Sequence, residues 1–121
     1  TVADDLRLRP ATRADAATIV DLIRGLAVYE REPDAAVVTE ADILRDGFGD
    51  RPLFEVVIAE WKGEPAGFAL FFHNYSTWQG RAGLFLEDLF VRERHRGLGI
   101  GKALLVHLAR IAVANLTQNR I

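Results

Sequence analysis

Apolar residues recur along this chain in two rhythms. Leu6-Arg7-Leu8-Arg9 alternates apolar and basic side chains and then meets Pro10, the pattern of a short edge strand. Thr12-Arg13-Ala14-Asp15 follows, a threonine with a carboxylate three residues on, which favours the positive end of a helix. Ile19, Ile23 and Leu26 then recur at spacings of four and three. They place one apolar stripe on a helix that ends near Tyr29 and Glu30, before Pro33. Thr39-Glu40-Ala41-Asp42 repeats the capping pattern and opens a short helix closed by Gly47 and Gly49. From Phe54 the rhythm changes. Residues 54–60 are rich in β-branched and aromatic side chains, Lys62-Gly63-Glu64 supplies a turn, and residues 66–72 return as the second arm of a hairpin. Residues 73–81 mix Asn, Ser, Thr and Gly and are predicted to be a loop leading to a third strand at 83–91. Helical spacing resumes over 100–113, with Leu104, Leu105, Leu108, Ile111 and Ala112 on one side. Residues 114–121 turn polar and carry no strand signal. The order β-α-α-β-β-β-α predicts layered α/β architecture.

Composition narrows the function. The chain has 121 residues, half of them apolar and 26% charged, which suits one globular domain, residues 1–121. A net charge of −2 gives no electrostatic footprint for nucleic acid. No apolar run reaches the ~18 residues of a membrane span, and the N-terminus has no basic-then-apolar leader. The reading is a cytoplasmic protein with neither nucleic-acid nor membrane partners. Cysteine is absent, which excludes disulfides, thiolate metal sites and thiol nucleophiles. His73, His95 and His107 lack metal-ligand spacing, so no metal is expected.

The most informative stretch is Arg94-His95-Arg96-Gly97-Leu98-Gly99-Ile100-Gly101-Lys102, between an apolar strand and an amphipathic helix. Its glycines allow a tight turn and close backbone approach. The N–H groups of a helix start point outward beside Arg96 and Lys102, an arrangement suited to a phosphate or diphosphate. A Walker loop is excluded, because Arg96 stands at its first glycine position and Ala103 follows Gly101-Lys102. The dinucleotide fingerprint is also excluded, since its third glycine comes one residue early. Arg-x-x-Gly-x-Gly, met by Arg94, Gly97 and Gly99, does match. A glycine-rich connection without a ligand is the competing reading of these residues.

With its flanks, this segment resembles the GNAT acetyltransferase superfamily. Leu86-Glu87-Asp88-Leu89-Phe90-Val91 followed by Arg96-Gly97-Leu98-Gly99-Ile100-Gly101 is similar to the diamine (spermidine/spermine) acetyltransferase branch. Leu26-Ala27-Val28-Tyr29-Glu30, Asp46-Gly47-Phe48-Gly49 and residues 75–80 with Trp78 agree with that branch in the same order. The resemblance implies a three-layer α+β fold, a mixed and mostly antiparallel sheet flanked by helices. It implies acetyl-coenzyme A as cosubstrate and a small-molecule amine as acceptor. The main chain of Leu89, Phe90 and Val91 would hold the pantetheine arm, and Arg96, Gly97, Leu98, Gly99, Ile100, Gly101 and Lys102 the diphosphate.

Glu87 interrupts an apolar run, so its carboxylate is turned into a cavity or paired, for instance with an arginine. An alkylammonium with a pKa of ~10.4 must lose its proton before attacking a thioester, at roughly 4–5 kcal/mol at neutral pH. The resemblance makes Glu87 the catalytic group that contacts the amine and takes that proton. On a regular strand Asp88 points to the opposite side and is structural. Tyr29 and Glu30 match a pair that lines the amine channel, where charge and a ring face suit an ammonium, and Trp78 would wall the same channel. By the resemblance, Ser76 stands where polyamine enzymes carry another acidic residue, which leaves room beside a polyamine for a smaller amine such as a diamine, a thialysine-like amino acid or a different primary amine. The family continues past the glycine-loop helix with further strands and a tyrosine general acid. Residues 114–121 do not resemble that continuation, and the only tyrosines are Tyr29 and Tyr75. The expected domain therefore lacks its C-terminal strands; a fragment of a longer chain, a sequence without its tail, or a homodimer that supplies the missing strands at the exposed sheet edge would each account for that. A coenzyme-binding or regulatory module without turnover, or an inactive fragment of such an enzyme, is the alternative function.

Overall fold

The computed structural model describes residues 2–117. One antiparallel sheet carries four strands in sequence order: β1 (Leu6–Pro10), β2 (Glu55–Trp61), β3 (Glu64–Ser76) and β4 (Arg81–Val91). After a single helical turn, α1 (Val2–Asp5), the helices are α2 (Ala16–Tyr29), α3 (Glu40–Gly47) and α4 (Ile100–Thr117). The expected mixed sheet is wholly antiparallel over these residues.

Strand alternation gives the sheet two apolar faces, and each face is covered. Val56, Ile58, Phe68, Leu70 and Phe90 pack against Ile19, Val20 and Leu22 of α2 and Ile43 of α3. Val57, Ala59, Ala69 and Phe71 pack on the other side against Ile100, Leu104 and Leu108 of α4. Of the stripe expected on α4, Leu105 lies outside this contact and is exposed. Among the described residues no helix is long and apolar enough to cross a membrane.

Both predicted caps form. Thr39 Oγ accepts from the Asp42 N–H at 3.2 Å while the Asp42 carboxylate accepts from the Thr39 N–H at 3.0 Å. At the first cap Asp15 accepts from the Thr12 N–H at 2.7 Å and also takes a forked pair from Arg9, at 2.7 and 2.9 Å. The Arg9 guanidinium, its largest partner, holds the Asp15 carboxyl down to about 2. A depressed carboxyl stabilises the fold above the ordinary carboxylate range, and that contribution disappears as pH falls through the native value. Asp15→Asn should therefore cost about 1–2 kcal/mol in urea unfolding at pH 7. The gap from wild type should close as pH approaches 2; a gap independent of pH would contradict the ion-pair account.

Two departures from the expected strands matter for the site. The polar stretch predicted as a loop is largely strand: residues 73–76 pair with 81–84 beyond the end of β2. Both faces of this two-stranded ribbon meet solvent, so backbone pairing rather than an apolar face makes it a strand. His73 Nε2 to Glu55 Oε2, at 2.7 Å, braces it. The second departure is a bulge. Leu70 pairs with Asp88 and Phe71 with Leu86, so Glu87 is the extra residue of β4. Leu86 and Leu89 accordingly pack on the same α4 side although three residues apart.

Candidate active site

β4 delivers the chain into the glycine segment under tight control. The Arg92 N–H bonds to Ala66 O at 2.8 Å, and its guanidinium reaches Pro65 O at 3.1 Å and Asp21 at 2.8 Å. A 3-10 turn, Glu93–His95, then leads to Gly97 and Gly99, whose φ angles are +82° and +81°. Only glycine adopts such angles readily, and a Cβ at either position would project into open space. The Ala103 N–H is the first to find a helical acceptor, Gly99 O at 3.0 Å. This leaves the N–H groups of Ile100, Gly101 and Lys102 at the positive end of α4 without intrahelical partners. Gly101 differs from the other two glycines: its Cβ would make ordinary 3.9 Å contacts with Leu89 and Val91, so a glycine is not required there.

These groups border a cavity of about 330 Å³ lined by Val91, Arg96, Gly97, Gly99 and His95. His95 is 7% exposed, and its Nδ1 is buried with no hydrogen-bond partner. An orphaned buried nitrogen, open glycine backbone and free helix N–H groups together fit an anionic phosphate tail. The side chains of Leu98 and Ile100 do not face a ligand; they pack on the sheet, as do Leu89 and Val91, while Phe90 belongs to the core on the α2 side. What Leu89, Phe90 and Val91 offer is backbone, because β4 pairs only with β3 among the described residues.

A second cavity, of about 170 Å³, lies beside the first along β4. Ile23, Leu26 and Ala27 of α2 form an apolar wall, and Glu30, Glu32 and Asp88 supply carboxylates. The bulge decides this arrangement. It turns Asp88 to the α2 side of the sheet, against the expectation that a regular strand would point it away from the site. Glu87 is exposed at the bulge, and no arginine or lysine pairs with Glu30, Glu87 or Asp88 among the described residues. Burial, and then the charges of Glu87 and Glu30, push the Asp88 carboxyl up from the usual carboxylate range. Among the described residues no cluster of His, Asp or Glu is arranged to hold a metal ion.

Tyr29, the last residue of α2, lines neither cavity and is exposed. The Arg96 guanidinium sits over its ring, 4.3 Å from the centroid, and Arg96 Nε donates to Val91 O at 3.0 Å. The cation on Tyr29 is therefore the chain's own. The next residue, Glu30, lines the acidic cavity. Trp78 stays apart, 99% exposed at the tip of the β3–β4 hairpin. Asp88 and His95 are the site residues that sequence reasoning missed. A lone buried histidine carries no spacing signal, and a bulge has no signature in a single strand.

The family described as "Acetyltransferase (GNAT) family" matches residues 17–121. Spermidine/spermine N(1)-acetyltransferase-like protein 1 of Homo sapiens is 41% identical over 120 residues, covering 93% of this chain and 17% of that protein. Thialysine N-epsilon-acetyltransferase of Bos taurus is 37% identical over 114 residues, covering 88% of this chain and 66% of the enzyme. The chain thus spans less than two thirds of either relative. A crystal structure of an aminoglycoside acetyltransferase from an uncultured soil metagenomic sample superposes with a TM-score of 0.79 at 15% identity, covering 95% of this chain and 74% of that one, a likeness of fold.

Proposed function

Because the chain belongs to the GNAT acetyltransferase family, we propose that it transfers an acetyl group from acetyl-coenzyme A to the primary amine of a small molecule: a polyamine, a diamine or a thialysine-like amino acid. The observation that carries this reading is the succession along β4 of an unpaired acidic cavity and an anion cradle, about 10 Å apart at strand rise. The names of the similar proteins, spermidine/spermine and thialysine acetyltransferases, support the choice of amine.

Bound coenzyme supplies the activated thioester. The chain's own part begins at the cradle, where Gly97, Gly99 and the first N–H groups of α4 hold the diphosphate beside Arg96 and Lys102. The edge backbone of Leu89, Phe90 and Val91 aligns the pantetheine arm. Donor N–H groups there also stabilise the oxyanion that develops on the acetyl carbonyl. Glu30 and Glu87 draw the ammonium in, and the apolar wall of α2 takes its alkyl chain. Asp88 and Glu87 act together on the proton. Half-buried Asp88, its proton affinity raised, is the better acceptor, and exposed Glu87 adds to the charge that raises it. In this reading Glu87, exposed and outside the lining of either cavity, has the role that the resemblance implies and shares it with Asp88. The same reading makes the protein cytoplasmic and a homodimer; the dimer is supported by the edge of β4 left unpaired among the described residues and by the exposed Tyr75 and Trp78 of the hairpin.

Thiol release measured against a panel of primary amines tests the proposal. Amine-stimulated release of coenzyme A is expected. Coenzyme binding without such release would replace the enzyme by a binding module. In the same assay Glu87→Gln should lower kcat/KM about tenfold at pH 7 and less near pH 10, where free amine is abundant. An equal loss at both pH values would remove Glu87 from proton transfer.

A further inference from the structure

An exposed arginine beside a phosphate cradle ordinarily samples many rotamers, but Arg96 is held at three points. Its backbone leaves the 3-10 turn directly into Gly97, its Nε is bonded to Val91 O, and one face of its guanidinium lies on the Tyr29 ring. Tyr29 is itself seated on Phe90, ring centroids 6.4 Å apart, and Phe90 is buried in the core. A ladder of aromatic contacts thus runs from the core to the edge of the cradle. The terminal amino groups of Arg96 have no acceptor among the described residues, and they are the fork that grips a phosphate. An ammonium is poorly placed on the ring face that already bears a guanidinium of like charge.

We propose that Tyr29 is a positioning residue for the anionic donor, acting through Arg96, rather than an ammonium-binding wall of the amine cavity. The proposal rests on the reading of the cradle as a coenzyme site. Preorganising a flexible arginine reduces the freedom lost on binding, so removing the ring weakens the donor without touching it.

Titration calorimetry with coenzyme A, on wild type, three single variants and one double variant, separates the possibilities. Tyr29 and Arg96 are both exposed, and circular dichroism checks that each variant folds. Tyr29→Leu should weaken coenzyme A by roughly 2- to 5-fold, the scale of an exposed cation–π contact, while Tyr29→Phe, which keeps the ring, should bind as wild type does. Arg96→Leu should weaken binding by about tenfold or more, and adding Tyr29→Leu to it should change nothing further. Unchanged affinity in Tyr29→Leu, or an undiminished loss in the Arg96→Leu background, would overturn the proposal while wild-type binding upheld the cradle. Folded wild type that failed to bind coenzyme A would overturn the cradle reading and this inference with it.

Discussion

Replacing Asp88 by Asn is expected to remove most amine acetylation while making the protein more resistant to heat at neutral pH. The two effects have one cause. Asp88 is held among Glu87, Glu30 and the apolar wall of α2, where ionisation is opposed by burial and by like charges. A carboxyl whose native proton affinity is raised stabilises the fold at acid pH, and that contribution is lost as pH rises through its native range. Asparagine avoids the cost, so Asp88→Asn should melt above wild type at pH 7, with the difference vanishing at acid pH. The strain it relieves is the chemistry: without that carboxylate an ammonium keeps its proton, and kcat/KM should fall by about 10²–10³-fold at pH 7. At pH 10 the deficit should shrink. A variant that retained activity, or melted lower than wild type at pH 7, would mean that Asp88 is a satisfied structural group.

The second large effect is expected at Gly99. Its φ of +81° places any Cβ in the cradle, where nothing of the protein now stands. Gly99→Val must either keep the turn at a cost of about 1–3 kcal/mol or relax to negative φ and turn the α4 N–H groups aside. Either way, coenzyme A affinity should fall by about 30-fold or more, read by calorimetry. Gly101→Ala is the matched comparison. It lies inside the first turn of α4, where alanine is favoured over glycine by about 1 kcal/mol and a methyl meets only ordinary contacts. It should bind coenzyme A normally and melt slightly higher. Equal losses in both variants would show that the glycines serve packing rather than a ligand.

Much of this arrangement was legible in the chain. The β-branched and aromatic run over residues 54–60, its return over 66–72 after the turn, and the stripe of Ile19, Ile23 and Leu26 correspond to β2, β3 and α2, because local composition and spacing track which positions are buried. The caps at Thr12 and Thr39 are also local, each closing over three residues. Failures fell where local signals are silent. Residues 73–76 looked like a loop because neither of their faces is buried; only the partner strand makes them a strand. Leu105 looked like core because 3.6-residue spacing defines a stripe but not its width.

From sequence alone came the layered α/β order, the basic, glycine-rich character of the segment from Arg94 to Lys102, and the presence of an acid inside an apolar strand. Each depends on residues close together in the chain. Tertiary structure alone decided which acid is half-buried against α2, which glycines are obligatory, and what lies on Tyr29. A single extra residue in β4 rotates Asp88 by half a turn relative to its expected direction. Its neighbours Glu30 and Arg96's partner Tyr29 come from a helix some sixty positions earlier. Such contacts are set by the packing of α2 across the sheet, a long-range balance of burial that no local pattern encodes.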